Sequence, residues 1–127
     1  MEDDLVVSPY FLQYMNASLC KYEDEVKVIQ IAGYMFPLNI DIKEGALFLP
    51  LTSSWGWASW KRAWDLFDIN ATDYEKLKHD PLLQERFNLN GAYDYFSMLE
   101  DQINGRIDSW AIRFYLTAFT SDALTLY

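Results

Sequence analysis

The chain has 127 residues, 51% of them hydrophobic, which suits one domain with a single buried core. Ten Lys and Arg against nineteen Asp and Glu give a formal net charge of −9, which repels a phosphate backbone and argues against DNA or RNA as a partner. The lone Cys20 cannot close a disulfide within the chain, and no signal-like segment or run of eighteen apolar residues is present. A soluble, cytoplasmic protein with no membrane span is therefore the expectation.

Ser8-Pro9 reads as a helix start, because Ser caps free N–H groups and Pro fits the first turn. Phe11, Met15 and Leu19 recur at helical spacing, and the helix is expected to run to about Tyr22. Val26, Val28 and Ile31 mark a strand bounded by Gly33. A helix leading into such a strand is half of a βαβ unit, whose partner strand is expected either ahead of Met1 or elsewhere in the chain. The strand from Val26 to Ile31 is thus expected to leave an unpaired edge, through which the chain forms homo-oligomers.

Residues 34–54 read as a long loop, with Pro37, Gly45 and Pro50 as punctuation and one short strand from Ala46 to Leu49. Trp57, Trp60, Trp64 and Phe67 fall near helical spacing, and Asp68 to Ala71 ends that helix. Short helices are expected from Tyr74 to His79 and from Leu82 to Phe87, separated by Asp80-Pro81, then longer ones from Ala92 to Ile103 and Ser109 to Phe119. Gly105 suits the left-handed end of the first long helix, and Asp108 suits the cap of the second. Leu124 to Tyr127 reads as a closing strand. The class is α/β: a mixed sheet with several helices.

Three features carry candidate chemistry. Glu2-Asp3-Asp4 places three carboxylates side by side, and they repel one another unless a cation sits between them. The plainer reading is an acidic terminus in solvent. Aromatic residues reach 17%, including five Trp; these either pack a core or form a wall on which sugar C–H faces stack. Asp108 is either a plain helix cap or a carboxylate held for proton transfer. Arg62, Arg106 and Arg113 suit phosphate or surface carboxylate pairing, and His79 sits in a charged segment without an assigned role.

Glu2-Asp3-Asp4-Leu5-Val6-Val7-Ser8-Pro9, followed by Phe11-Leu12 and Tyr14, resembles the Glu-Asp-Asp segment of GT-A-fold glycosyltransferases. It is similar in particular to the N-acetylglucosaminyltransferase I type and to bacterial family 2-like sugar transferases. The likeness continues through Ile31-Ala32-Gly33-Tyr34, then Thr52-Ser53-Ser54-Trp55-Gly56-Trp57-Ala58-Ser59-Trp60, and resumes at Ile107-Asp108-Ser109-Trp110-Ala111-Ile112-Arg113. The resemblance implies a partial GT-A fold in which residues 1–127 form the acceptor- and metal-binding half and the nucleotide-binding half is absent.

It further implies that Asp4 binds Mn²⁺ or Mg²⁺, with Glu2 and Asp3 beside a nucleotide-sugar donor or a carbohydrate acceptor. Trp55, Gly56 and Trp57 would line the substrate site, with Trp60 and Trp64 in the core. Asp108 would act as base in an inverting transfer, although Ser109 stands next to Trp110 where the family carries a second Asp. A non-catalytic carbohydrate-binding or interaction module is the alternative from another class.

Overall fold

The computed structural model describes residues 5–37 and 45–127. Its elements are α1 (Phe11–Lys21), β1 (Val28–Ala32), β2 (Phe48–Leu49), β3 (Trp57–Ser59), α2 (Lys61–Trp64), α3 (Tyr74–Lys78), α4 (Pro81–Phe87), α5 (Tyr95–Ile103), α6 (Trp110–Thr120) and β4 (Leu124–Leu126). The α/β class with a mixed sheet holds, in the order β2-β4-β1-β3. β4 runs parallel to β1, whereas β3 against β1 and β2 against β4 are antiparallel. The chain divides into two compact units, residues 1–66 with 122–127, and residues 67–121.

The first unit holds the sheet, α1 and α2. All five residues of β1 are buried, as befits a strand with neighbours on both sides. Between Val28 and Gln30 the register with β4 slips by one residue, so Ile29 is an extra residue on the β1 side. The slip reverses the usual alternation, and Val28 and Ile31, three apart, join Leu126 and Met15 in one core cluster. Phe11 and Leu19 flank Met15 at four-residue spacing on α1 and pack on the same cluster.

Several expectations change here. Ser8 and Pro9 form a turn ahead of α1, in which the Ser8 hydroxyl accepts the Tyr10 N–H at 3.3 Å and the helix itself begins at Phe11. The strand starts at Val28, while Val26 stays exposed. The helix expected from Trp57 is instead a strand, because Trp57, Ala58 and Ser59 pair with Ala32, Ile31 and Gln30; only Lys61–Trp64 is helical. The open edge expected along Val26 to Ile31 is filled from Val28 onward by β3 and β4, so it offers no route to a homo-oligomer. The outer strands are β2 and β3.

Arg62 is likewise not a phosphate ligand. Its guanidinium donates to the backbone carbonyls of Tyr22, Glu23, Glu25 and Val28 at 3.0–3.1 Å and lies 4.4 Å from the Trp60 ring centroid. One planar fork thereby satisfies the carbonyls of the turn between α1 and β1. Trp60 Nε1 donates to Leu19 O at 3.1 Å and serves the last turn of α1 in the same way.

The second unit contains α3 to α6 around Phe87, Leu99 and Phe114, all fully buried. Phe87 stacks on Tyr115 at 4.5 Å, and the Tyr115 hydroxyl donates to Phe87 O at 2.8 Å. Asp80 accepts the N–H groups of Leu82 and Leu83, which explains why α4 starts at Pro81. Leu89, Asn90 and Gly91 have positive φ, so the helix expected from Ala92 starts later, at Tyr95, capped by Asp94.

The cap of α6 is Ser109, whose hydroxyl accepts the Ile112 N–H at 3.4 Å. Asp108 lies one residue too early to reach those amides. Its exposed carboxylate accepts from Arg113 Nη2 at 3.2 Å instead. Ser109→Ala is therefore expected to lower unfolding stability by about 1 kcal/mol, and Asp108→Ala by less than about 0.5 kcal/mol. Urea unfolding of both variants checks the assignment, and the reverse ranking would return the cap to Asp108.

Candidate functional site

The site is built on a polar residue in the middle of β1. Gln30 is fully buried; its Nε2 donates to Ser53 O at 2.8 Å, and its Oε1 accepts Ser53 N–H at 2.7 Å. The side-chain amide thus pairs with the Ser53 backbone as another strand would, and Thr125 Oγ1 on β4 adds a contact at 3.3 Å. Strand, loop and closing strand are joined at one point. Two residues later the loop delivers Trp55 and Gly56.

Gly33 N–H donates to Gly56 O at 2.7 Å, which carries the pairing of β1 with β3 one step further. Both glycines are required by close approach. A Cβ on Gly33 would stand 2.3 Å from the Phe11 ring and 2.6 Å from Gly56 O. Gly56 has φ +58°, and its Cβ would lie 3.1 Å from Phe11. The Phe11 ring therefore seats on bare backbone.

Around this seat lies a cavity of about 440 Å³. Leu5 to Ser8 enclose one side, Tyr10, Phe11 and Tyr14 come from the start of α1, and Gly33, Tyr34, Trp55 and Gly56 complete the wall. Tyr34 meets Trp55 edge-on at 4.9 Å, and Phe36 meets Tyr34 at 5.4 Å and Trp55 at 6.0 Å. These three rings remain between 39% and 50% exposed; Tyr34 and Trp55 line the cavity, and Phe36 packs beside them. No Lys, Arg or His lines the cavity among the described residues.

Tyr14 lines this cavity with its ring. Its hydroxyl is buried without a hydrogen bond of good geometry. Burial pushes its pKa up, outweighing the neighbouring Ser18 hydroxyl that pulls it down, so it stays protonated and remains a donor.

Of the residues singled out from sequence, Trp55 and Gly56 come together here. Trp57 does not line this cavity; it stacks on Trp64 at 5.9 Å and borders a separate shallow cavity of about 390 Å³. Trp64 is exposed rather than part of the core, and Trp60 is half-buried. Glu2, Asp3 and Asp4 lie outside the described residues, joined to the cavity by the Asp4–Leu5 peptide bond. Asp108 belongs to the second unit. Among the described residues no group of three or more His, Cys, Asp or Glu is placed to hold a metal ion, and no helix is long and apolar enough to cross a membrane.

Sequence reasoning missed Gln30, Tyr10 and the role of Phe11. Gln30 interrupts an apolar strand, which is a signal in itself, since a polar side chain at a buried position must find partners. Phe11 is legible as part of a helical stripe and of the resemblance, but not as the ring that seats on Gly33 and Gly56.

Because the groups facing Gly33 include backbone, Gly33→Ala forces the Gly33–Gly56 approach apart. A loss of roughly 1–3 kcal/mol in unfolding stability is expected. Chemical denaturation measures it, and a neutral result would mean that α1 does not seat here as described. No family model, no curated protein and no solved structure matches the chain.

Proposed function

We propose that the chain belongs to a GT-A-type glycosyltransferase that moves a sugar from a nucleotide-diphosphate donor to a hydroxyl acceptor, with inversion at the anomeric carbon. One observation supports this most. Residues from three of the stretches that carry the sequence resemblance, Leu5 to Ser8 with Phe11 and Tyr14, Gly33 with Tyr34, and Trp55 with Gly56, line one aromatic cavity. In the sequence the acidic triplet immediately precedes Leu5, which lines that cavity.

The donor chemistry is consistent with the residues present. Carboxylate oxygens suit Mg²⁺ or Mn²⁺, with Asp4 as the ligand and Glu2 and Asp3 beside the substrates. Such a cation, when bound, supplies positive charge for the departing diphosphate. The chain's own contribution is to offer Trp55 and Tyr34 as flat surface for a sugar ring, while Gly56 allows close backbone approach. Asp108 is the base in this reading: an exposed carboxylate, oriented by Arg113, that accepts the proton of the attacking hydroxyl.

A non-catalytic carbohydrate-binding module is the second reading, favoured by the fact that the cavity wall is built from aromatic rings and backbone among the described residues. Two measurements separate them. Mn²⁺ is expected to bind weakly and more tightly once inorganic pyrophosphate fills its open coordination positions, with both effects lost in Asp4→Ala. Calorimetry reads this directly, and binding unaltered by the substitution removes Asp4 from the role. In transfer assays on the full-length enzyme, with both halves present, Asp108→Asn is expected to retain donor binding and lower turnover at least about 100-fold, the usual scale of general-base loss. A variant that keeps most of its turnover would remove Asp108 as base.

A further inference from the structure

We infer that Gln30, which does not itself line the cavity, is the positioning residue for its wall: through Ser53 it holds the Trp55 ring ready for a ligand before the ligand arrives. The inference rests on the reading of Trp55 as flat surface for a sugar ring and names the device that presets it.

The path of the loop is the first argument. Residues 50–56, between β2 and β3, belong to no helix or strand, so no ladder of their own fixes them. Fixed points come from outside instead. The Tyr127 hydroxyl donates to Leu51 O at 2.9 Å, the Gln30 amide holds both backbone groups of Ser53, and Gly56 O accepts from Gly33 N–H at 2.7 Å. Trp55 lies between the last two points. Its own N–H donates to Ser53 Oγ at 3.3 Å, so the residue that Gln30 clamps also holds the backbone of Trp55. Trp55 is 46% exposed, so contact with Tyr34 and Phe36 covers only part of it and the backbone sets its direction. A wall fixed in advance spares the ligand the cost of ordering it.

The chemistry of the clamp is the second argument. Ser53 presents one donor and one acceptor, and the Gln30 amide answers with one acceptor and one donor. The opposite amide orientation would set N–H against N–H and oxygen against oxygen, so Ser53 fixes which way the amide faces. Thr125 Oγ1, 3.3 Å from Oε1, joins the same oxygen; neither of these partners ionises. A carboxylate at position 30 can accept but not donate, whereas a neutral carboxyl does both. The clamp can therefore be opened by removing one proton from a side chain of the same shape.

The test is NMR on the whole chain, unsubstituted and as Gln30→Glu and Ser53→Ala. The Trp55 indole N–H signal is identified by its loss in Trp55→Ala, its order is read from ¹⁵N relaxation, and binding of methyl β-D-glucoside is read by saturation transfer. In the unsubstituted chain the ring should be rigid and the affinity the same at about pH 5 and about pH 8. In Gln30→Glu, burial raises the new carboxyl above its usual value of about 4.3, so the clamp holds while the group is neutral and opens as rising pH ionises it. The carboxyl ¹³C shift reports which form is present. On ionisation the Trp55 ring should become mobile and glucoside binding weaken about tenfold, the factor expected when the receiving arrangement is populated about a tenth of the time. The β1 amide signals should persist. Ser53→Ala, which leaves the sheet untouched, should loosen the ring at both pH values and weaken binding about twofold.

A Trp55 ring equally rigid in the neutral and ionised forms of Gln30→Glu overturns the role of Gln30. An unchanged ring in Ser53→Ala overturns the link through Ser53. Loss of the β1 signals along with the order of Trp55 makes Gln30 a general requirement of folding and overturns the positioning role, as does a loosened ring with unaltered glucoside affinity. The carbohydrate reading fails separately: no glucoside binding by the unsubstituted chain, with Trp55 loosened as expected in both variants, removes the sugar and leaves the positioning of the ring standing.

Discussion

The geometry of the first unit depends on the amide of Gln30. A primary amide buried in the centre of a four-stranded sheet is unfavourable unless its donors and acceptor are matched. Here the carbonyl and amino groups meet the complementary backbone pair of Ser53. The arrangement works in both directions, since Ser53 also needs partners for its own N–H and C=O. Loop 50–56 is thereby held to the sheet at the point from which Trp55 and Gly56 reach the cavity. An apolar residue at position 30 would leave the Ser53 backbone groups to water, and the aromatic wall would lose its anchor.

From that anchor the contacts follow in order. The Gly33–Gly56 hydrogen bond sets the distance between the end of β1 and the loop. The bare backbone of both glycines admits the Phe11 ring, and Phe11 in turn fixes the first turn of α1. That turn carries Tyr10 and Tyr14 to the cavity. At the other end of the helix, Arg62 and Trp60 satisfy the final carbonyls of α1 and the turn that follows. The helix is therefore held at both ends by side chains and backbone from the β3–α2 segment. Its apolar stripe supplies burial between them.

How far the fold was legible in the sequence varies with the kind of signal. Buried stripes were readable, because Phe11, Met15 and Leu19 repeat at helical spacing and Val28 and Ile31 stand in an apolar run. Trp57 to Trp64 differs, since aromatic residues at helical spacing predict one helix, whereas Trp57, Ala58 and Ser59 fill an otherwise unpaired side of β1. Local periodicity is silent about such a tertiary demand. The α6 cap was displaced by one residue because Asp and Ser are both good caps, and only the chain's path into the helix chooses between Asp108 and Ser109. For the site, Trp55 and Gly56 were legible through motif order. The Gln30 clamp was not, because its partner lies 23 residues away and is backbone, which carries no sequence signal.

Electrostatics links the cavity to the proposed chemistry. A chain of net charge −9 repels a diphosphate at long range, but salt at 0.1 M screens that repulsion beyond about 10 Å. What decides binding is therefore the charge within a few side-chain lengths of the cavity. Among the described residues that lining carries no charged side chain, only apolar and aromatic groups, backbone and the hydroxyls of Ser8, Tyr10, Tyr14 and Tyr34.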